Sequence, residues 1–291
     1  MAQGSARRGP ALPAIILTMH SGAPAAGELR RLLGAEERQR VARFLLAQGW
    51  SGLHLGEALV RWEASSSGRP PLWGAHGPSG ELTSVAFTPP GRFQLLAPLG
   101  ADREGGRALL LRLLPELERV SALEDHLLEH ELAGFDRSIR EMTVAASLLA
   151  PARPLPEARR ARLRDAPEVH RIYQHVSWMR LESAADWRAR LRLDPTWVVE
   201  EEGRVVGVAR WTKRYGRVVE VGGVATDPDR RRRGAATAAV LAATAPALSA
   251  GLTPLLCFQD PALAPLYLNL GFERVGRELA FHRPPPPVPG L

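Results

Sequence analysis

Val224-Ala-Thr-Asp-Pro-Asp-Arg-Arg-Arg-Arg-Gly-Ala-Ala236 is the stretch on which the reading of this chain turns. Residues 217–226 before and into it (RVVEVGGVAT) have strand composition, and the run from Gly234 (GAATAAVLAAT) has that of a helix. At the junction a glycine and two alanines let a ligand approach the main chain, and the helix's first-turn N–H groups point outward. Together with the positive end of the helix dipole they form an anion site built from backbone donors. The dipole alone contributes roughly 0.3–2 kcal/mol, so several N–H bonds and the neighbouring arginines must add to it. A diphosphate held between Arg231 and Ala236 is the reading this favours. The competing readings of Arg230–Arg233 are a solvated basic run and a nucleic-acid contact.

Working outward, residues 204–211 (RVVGVARW) read as a strand after the turn Glu202-Gly203, and 253–258 as a short buried strand. Residues 261–270 read as a helix stopped by Gly271, and 272–282 as the closing strand. Upstream, 169–179 and 186–192 look like amphipathic helices. Pro246 is expected to kink or end the helix that starts at Gly234. Gly222-Gly223 predicts a bulge in the strand. Glu220 lies four residues before Val224, so simple alternation puts it on one face with Gly222 and Val224.

Arg231, two residues, Gly234, one residue, Ala236 resembles the signature of the GNAT superfamily of acyl-CoA N-acetyltransferases, which is Gln or Arg, two residues, Gly, one residue, Gly or Ala. Leu266-Tyr267-Leu-Asn-Leu-Gly271-Phe272 looks like that family's second hallmark, a tyrosine near a helix end followed by a Gly-Phe that opens the last strand. The resemblance covers residues 157–283 well and the N-terminal half more loosely. It implies an acetyl-CoA cosubstrate, with Val224, Ala225, Thr226, Arg231, Arg232, Arg233, Gly234, Ala235 and Ala236 binding it, and a sheet splayed near Gly222-Gly223. It makes Glu220 the general base and Tyr267 the acid that protonates the departing thiolate. Asp260 stands at a cofactor-contact position where an asparagine is usual; it can cap the helix equally well, but it lacks the amide that makes the family's CoA contact. Trp178 and Trp187 fall in the region that lines the acceptor site. The implied reaction is direct attack by a primary amine, of a small molecule or a protein, in a ternary complex. The rival readings are an acyl-CoA sensor without catalysis and a nucleic-acid-binding protein.

The chain as a whole fits this. It has 291 residues, 45% hydrophobic composition and a net charge of +7, and Lys213 is the one lysine among its 38 basic residues. No apolar run approaches the roughly 20 residues a bilayer span needs. A single cysteine excludes an internal disulfide, and Cys257 reads as a buried, inert thiol in a reducing cytoplasm. Arg7, Arg8 and the apolar residues 11–19 have the outline of a secretory signal, but Pro13 breaks the run. The better reading is a disordered tail at 1–12 and a first strand at 14–18. Pro151-Ala-Arg-Pro-Leu-Pro156 reads as a linker and 284–291 as a proline-rich tail.

The two sides of that linker echo each other. Ala97, Arg103, Gly106 and Ala108 align without gaps on Ala225, Arg231, Gly234 and Ala236. Residues 134–141 (GFDRSIRE) match 271–278 (GFERVGRE) at five of eight positions. The expected fold class is therefore mixed α/β: two tandem acetyltransferase-like domains, 13–150 and 157–283, each a central, mostly antiparallel sheet flanked by helices. In the first copy Arg92 replaces Glu220, His130 replaces Tyr267, and Asp102 and Glu104 flank Arg103, so it is expected to have lost catalysis. His126-Leu-Leu-Glu129-His130 fits an inverted zinc-protease string, but no third ligand follows and no metal is expected.

Overall fold

Among the described residues each half of the chain lays down six strands in the same spatial sequence, and the two sets merge into one sheet. The computed structural model of the protein describes residues 29–32, 34–66, 68, 71–89, 93–96, 108–109, 112, 119–123, 134–176, 179 and 182–282. The first half contributes β1 (Leu29–Leu32), α1 (Ala35–Ala47), α2 (Leu53–Ser65), β2 (Leu72–His76), β3 (Leu82–Phe87), β4 (Phe93–Leu96), β5 (Arg119–Leu123) and β6 (Asp136–Ala145). The second contributes β7 (Ala158–Arg160), α3 (Ala166–Tyr173), α4 (Ala184–Leu193), β8 (Thr196–Glu201), β9 (Arg204–Tyr215) and β10 (Val218–Thr226). It closes with α5 (Ala235–Ser249), β11 (Thr253–Phe258), α6 (Ala264–Leu268) and β12 (Phe272–His282).

The strand order is β1-β2-β3-β4-β5-β12-β6-β11-β10-β9-β8-β7. Read from either end it is the same path, with the last strand of each half exchanged: β12 pairs with β5, and β6 pairs with β11. The described pairings are antiparallel except β4·β5 and β10·β11, which occupy matching places in the two halves. The eight-residue echo in the sequence is the start of the two exchanged strands. In the β6·β12 register Arg140 lies opposite Glu278 and Arg277 opposite Glu141, so the repeated Arg-Glu pair meets its own copy head to tail. The two expected sheets are thus present, but as halves of one 12-stranded sheet.

Among the described residues, apolar side chains hold helices to both faces of this sheet. On one face of the second half, α5 packs Ala235, Ala239 and Ala243 against Val206, Ala209, Val221, Leu256 and Phe258. On the other face α3 and α4 cover Val198, Val205, Val208 and Ala225. Helices α1 and α2 of the first half cover Leu72, Val85 and Phe87 and also reach Met142, Val218 and Leu255, so they straddle both halves. Gly56 makes this reach possible. The Tyr215 ring at the end of β9 lies flat on α2 there, where any Cβ would overlap it, and the Tyr215 hydroxyl donates to the Ala42 carbonyl at 3.3 Å.

Several boundaries differ from expectation. Pro246 neither ends nor splits α5, which continues to Ser249. Proline gives up its own N–H and crowds the carbonyl four residues back, yet the turn after it still closes, the Ala250 N–H reaching the Pro246 and Ala247 carbonyls at 3.1 Å. The helix expected over 261–270 is a 3₁₀ turn, Pro261–Leu263, followed by the short α6. Gly271, at φ 95°, stops it as expected. The strand expected at 14–18, Arg92, Ala97, Asp102, Arg103, Glu104, Gly106, the 126–130 string with His130, and both tails lie outside the described residues.

The exchange predicts how the chain can be cut. Residues 157–283 expressed alone lack β6, which lies between β11 and β12. They should show no cooperative thermal transition and a collapsed amide NMR spectrum. Co-expression with residues 1–150 should restore a folded, stoichiometric complex. A well-dispersed spectrum from 157–283 alone would overturn this.

Candidate functional site

The sheet opens at one place in the second half. β10 pairs with β11 at Val218, Val219 and Glu220, opposite Thr253, Pro254 and Leu255, and the pairing ends there. Beyond it β10 follows β9 through the expected bulge: Gly222 faces Arg210, Ala225 faces Val208, and one extra residue sits on β10. Gly223 takes φ 58° in that bulge. The Tyr173 hydroxyl of α3 donates to the Gly223 carbonyl, and the Tyr173 ring stacks on Trp187 of α4 at 4.2 Å. The extra residue changes the parity of the strand. Val224 packs on the α5 side, whereas Glu220 faces α2 with Val218. The expectation that Glu220 and Val224 share a face is therefore corrected.

The loop from β10 to α5 is fixed at its start. Asp227 caps the 3₁₀ turn Pro228–Arg230 through the Asp229 N–H at 3.1 Å and bonds Arg171 at 2.6 Å. Arg230 is tied to Glu202 at 3.2 Å. Arg231, Arg232 and Arg233 are exposed, and among the described residues no carboxylate pairs with them. Arg232 adopts φ 62° and Gly234 φ 94°, which turn the chain into the helix; glycine takes the left-handed conformation without the strain a side chain adds. Gly234 is the N-cap, so Ala235, Ala236 and Thr237 present N–H groups that no earlier carbonyl of the helix accepts. The segment 151–156 is more than a spacer here. Leu155 and Pro156 lie against Gly234, and Arg153 donates to the Arg232 carbonyl at 3.3 Å. Asp260 caps the 3₁₀ turn before α6, accepting from the Ala262 N–H at 2.9 Å.

Glu220 sits in a buried polar cluster at the base of the split. A second bulge, on β9, sets both Thr212 and Lys213 against it. The Thr212 hydroxyl donates to Oε2 at 2.6 Å and the Lys213 ammonium at 2.7 Å. Across the junction of the halves His54, at the start of α2, places Nε2 3.4 Å from Glu220 Oε1. Its Nδ1 is 3.1 Å from Glu278 Oε2. Glu278 of β12 is held in turn by Arg140 of β6 and by the Ser121 hydroxyl of β5. Cys257 is half-buried beside them: one ligand-type atom each from His54, Glu220 and Cys257 lies within 4.8 Å of the others. The sequence reading of a buried thiol did not place it beside Glu220, where the fold brings it. Tyr267 lies on the opposite, α5 side, packed between Phe258 and Phe272.

These surroundings set the protonation states. Burial works against ionising Glu220, but Lys213 and His54 outweigh it and hold its carboxyl well below the ordinary 4.5. Glu278 is likewise lowered by His54 and Arg140 against the effect of burial. Burial and Lys213 work against protonating His54, yet Glu278, Cys257 and Glu220 raise it well above 6.5. Burial pushes the Cys257 thiol up while His54 pulls it down, with a net rise. Burial alone pushes Tyr267 up to about 12.

Of the expected acceptor contacts, Trp187 is fully buried. It forms the core between α3, α4 and the bulge, with no surface for an acceptor to touch. Trp178 lies outside the described residues. His54, Glu278 and Lys213 were not among the residues expected from the sequence. Lys213 carried a signal, as the lone lysine in an arginine-biased chain; Glu278 carried a weaker one, as the end of the echoed segment. His54 carried none.

The cluster makes stability depend on pH in a defined direction. A lowered carboxylate stabilises the fold above its ordinary value of 4.5 and loses that effect as pH falls through its folded value. His54 is raised, so its contribution is complete below 6.5 and is lost as pH rises through its higher folded value. The urea midpoint of the wild-type protein should therefore exceed that of His54→Gln most between about pH 5 and 6, and the gap should narrow towards about pH 9. A gap that stays constant across that range would refute the assignment.

Comparison with known proteins finds this fold elsewhere. The acetyltransferase (GNAT) family model matches residues 158–272. No curated protein matches the chain. Among solved structures, an acetyltransferase of the GNAT family from Colwellia psychrerythraea superposes with a TM-score of 0.59 at 11% identity, covering 88% of this chain and 99% of that one. A GCN5-related N-acetyltransferase from Sphaerobacter thermophilus gives 0.58 at 17% identity, covering 88% and 96%. A tandem GNAT protein from the clavulanic acid biosynthesis pathway gives 0.50 at 14% identity, covering 89% and 100%. At these identities the likeness is one of fold, and it extends across both halves. Residues 158–272 belong to the acetyltransferase (GNAT) family, and acyl transfer is the chemistry that this membership brings.

Proposed function

We propose that the protein transfers an acetyl group from acetyl-CoA to a primary amine by direct attack in a ternary complex. One observation carries this reading: the opening between β10 and β11 lies between Glu220 on one face of the sheet and Tyr267 on the other. A thioester threaded through that opening meets its amine on the α2 side and releases its thiolate on the α5 side.

The residues fit the cosubstrate. The N–H groups at the start of α5 and the exposed Arg231, Arg232 and Arg233 suit a diphosphate. Val224, Ala225 and Thr226 border the bulge, where main-chain groups are free to bind a pantetheine arm and to steady the thioester oxygen as it gains charge. Asp260 is engaged by its own turn, so its part is to shape the mouth of the site rather than to replace an amide contact.

In the reaction the amine nitrogen forms a bond to the thioester carbon, the C–S bond breaks, and the thiolate takes a proton from the Tyr267 phenol. The amine's surplus proton leaves through Glu220, directly or through water. Glu220 is ionised throughout the neutral range, so it is in the form that can accept this proton. The raised Tyr267 keeps its proton until the thiolate forms.

Titration calorimetry should detect acetyl-CoA binding. Free thiol should then be released when a panel of small and peptide amines is screened. Glu220→Gln and Tyr267→Phe should each lower kcat by about 10²–10⁴ with little change in acetyl-CoA affinity. Absence of binding heat, or unchanged turnover in the double variant, would overturn the proposal.

A further inference from the structure

The face of the split that carries Glu220 is walled by a helix from the other half of the chain. Helix α2 is seated there by the close approach of Gly56 to the Tyr215 ring, and its second residue, His54, points into the cluster. A helix N-terminus is an unfavourable place for a cation, so two carboxylates had to be arranged around this imidazole to keep it charged. Glu278 comes from β12 and is braced by Arg140 of β6 and Ser121 of β5, so three strands fix one side of the ring. On the other side Nε2 is buried and completes no hydrogen bond among the described residues, the nearest carboxylate oxygen being Glu220 Oε1 at 3.4 Å. A buried donor left short of an acceptor is costly. Here it is aimed at the carboxylate beside the split, where a water accepting from Nε2 and donating to Oε1 would complete the network.

We infer that His54 is a positioning residue of the acyl-transfer site, supplied by the N-terminal half: held at Nδ1 by Glu278, it faces Oε1 of Glu220 and orients that carboxylate. The inference rests on the reading of Glu220 as the proton acceptor. It gives the first half of the chain a role in the reaction of the second. The charged and titratable groups around Glu220 are His54 from α2, Lys213 from β9 and Cys257 from β11, with Glu278 of β12 and Arg140 of β6 behind the imidazole. Lys213 and His54 act in the same direction on Glu220 from opposite oxygens, so removing either one shifts its protonation without abolishing its anchoring.

The test compares the intact wild-type chain with His54→Gln and Glu278→Gln, measuring acetyl-CoA affinity by calorimetry and kcat against pH with the best amine from the screen. His54→Gln should bind acetyl-CoA as the wild type does and lose kcat by on the order of 10²-fold. Its acid limb should move to higher pH, because Glu220 without the imidazolium is protonated more readily. Glu278→Gln, which leaves the histidine in place but weakens its charge, should move the same limb in the same direction by less. A His54→Gln enzyme with wild-type kcat and profile overturns the inference, and so does one whose activity falls while the limb stays fixed. If the wild-type protein itself neither binds acetyl-CoA nor releases thiol, the acyl-transfer reading fails and takes the inference with it.

Discussion

The antiparallel pairing of β6 with β12 is the constraint from which the other features of the molecule follow. Each of these strands ends its own half of the chain and lies inside the other half's sheet. Drawn back to its own half, each would instead become an edge strand open to solvent, the arrangement that invites aggregation. With the exchange, neither half can complete its hydrogen bonding alone. The exchange also carries Glu278 to a position where it meets His54 on one side and Arg140 on the other. A strand-pairing choice thereby becomes an electrostatic one.

The opening beside Glu220 has a mechanical origin in the same sheet. β11 is drawn towards β6 over Leu255–Phe258, while β10 is drawn towards β9 by a ladder interrupted twice by bulges. Each bulge increases local twist, and the parallel pairing of β10 with β11 survives for three residues. The same two bulges place the chemistry. The one at Thr212 brings two donors onto Glu220, and the one after Gly222 reverses strand parity so that Val224 faces α5. Tyr173, anchored on Trp187, holds the second bulge in shape through the Gly223 carbonyl.

Much of the second half was legible in its sequence because local signals there agree with tertiary structure. Alternation, turn glycines and the Gly234 junction located β9, β10, α5, β11 and β12 to within a few residues. The bulge at Gly222-Gly223 was legible for the same reason, since paired glycines in a strand have few other uses. Face assignment failed at Val224 because parity holds only until the first extra residue. The joined sheet was half legible. The echoed Arg-Glu segments mark the repeat, yet nothing local says that each strand pairs with its copy instead of its own sheet. His54 was illegible in principle: it lies 166 positions before Glu220, and only the exchange of strands makes them neighbours.

Why the cluster is built from so many charges follows from what burial does to each. A lone carboxylate at the position of Glu220 would be driven towards its neutral form, and a neutral acid neither draws an ammonium group nor accepts a proton. Lys213 by itself restores the charge but grips one oxygen, Oε2, leaving Oε1 without a cation. His54 meets that second oxygen, and its own charge is then sustained by Glu278, which Arg140 sustains in turn. Each link compensates the desolvation of the one before it. Breaking a buried pair by removing one partner typically costs about 3–5 kcal/mol, since the other charge is left stranded. The chain of charges ends at Arg140, which is 30% exposed and can reach water. Glu220 is thus connected to solvent through the seam between the two halves, and its charge is a property of the whole sheet rather than of the strand that bears it.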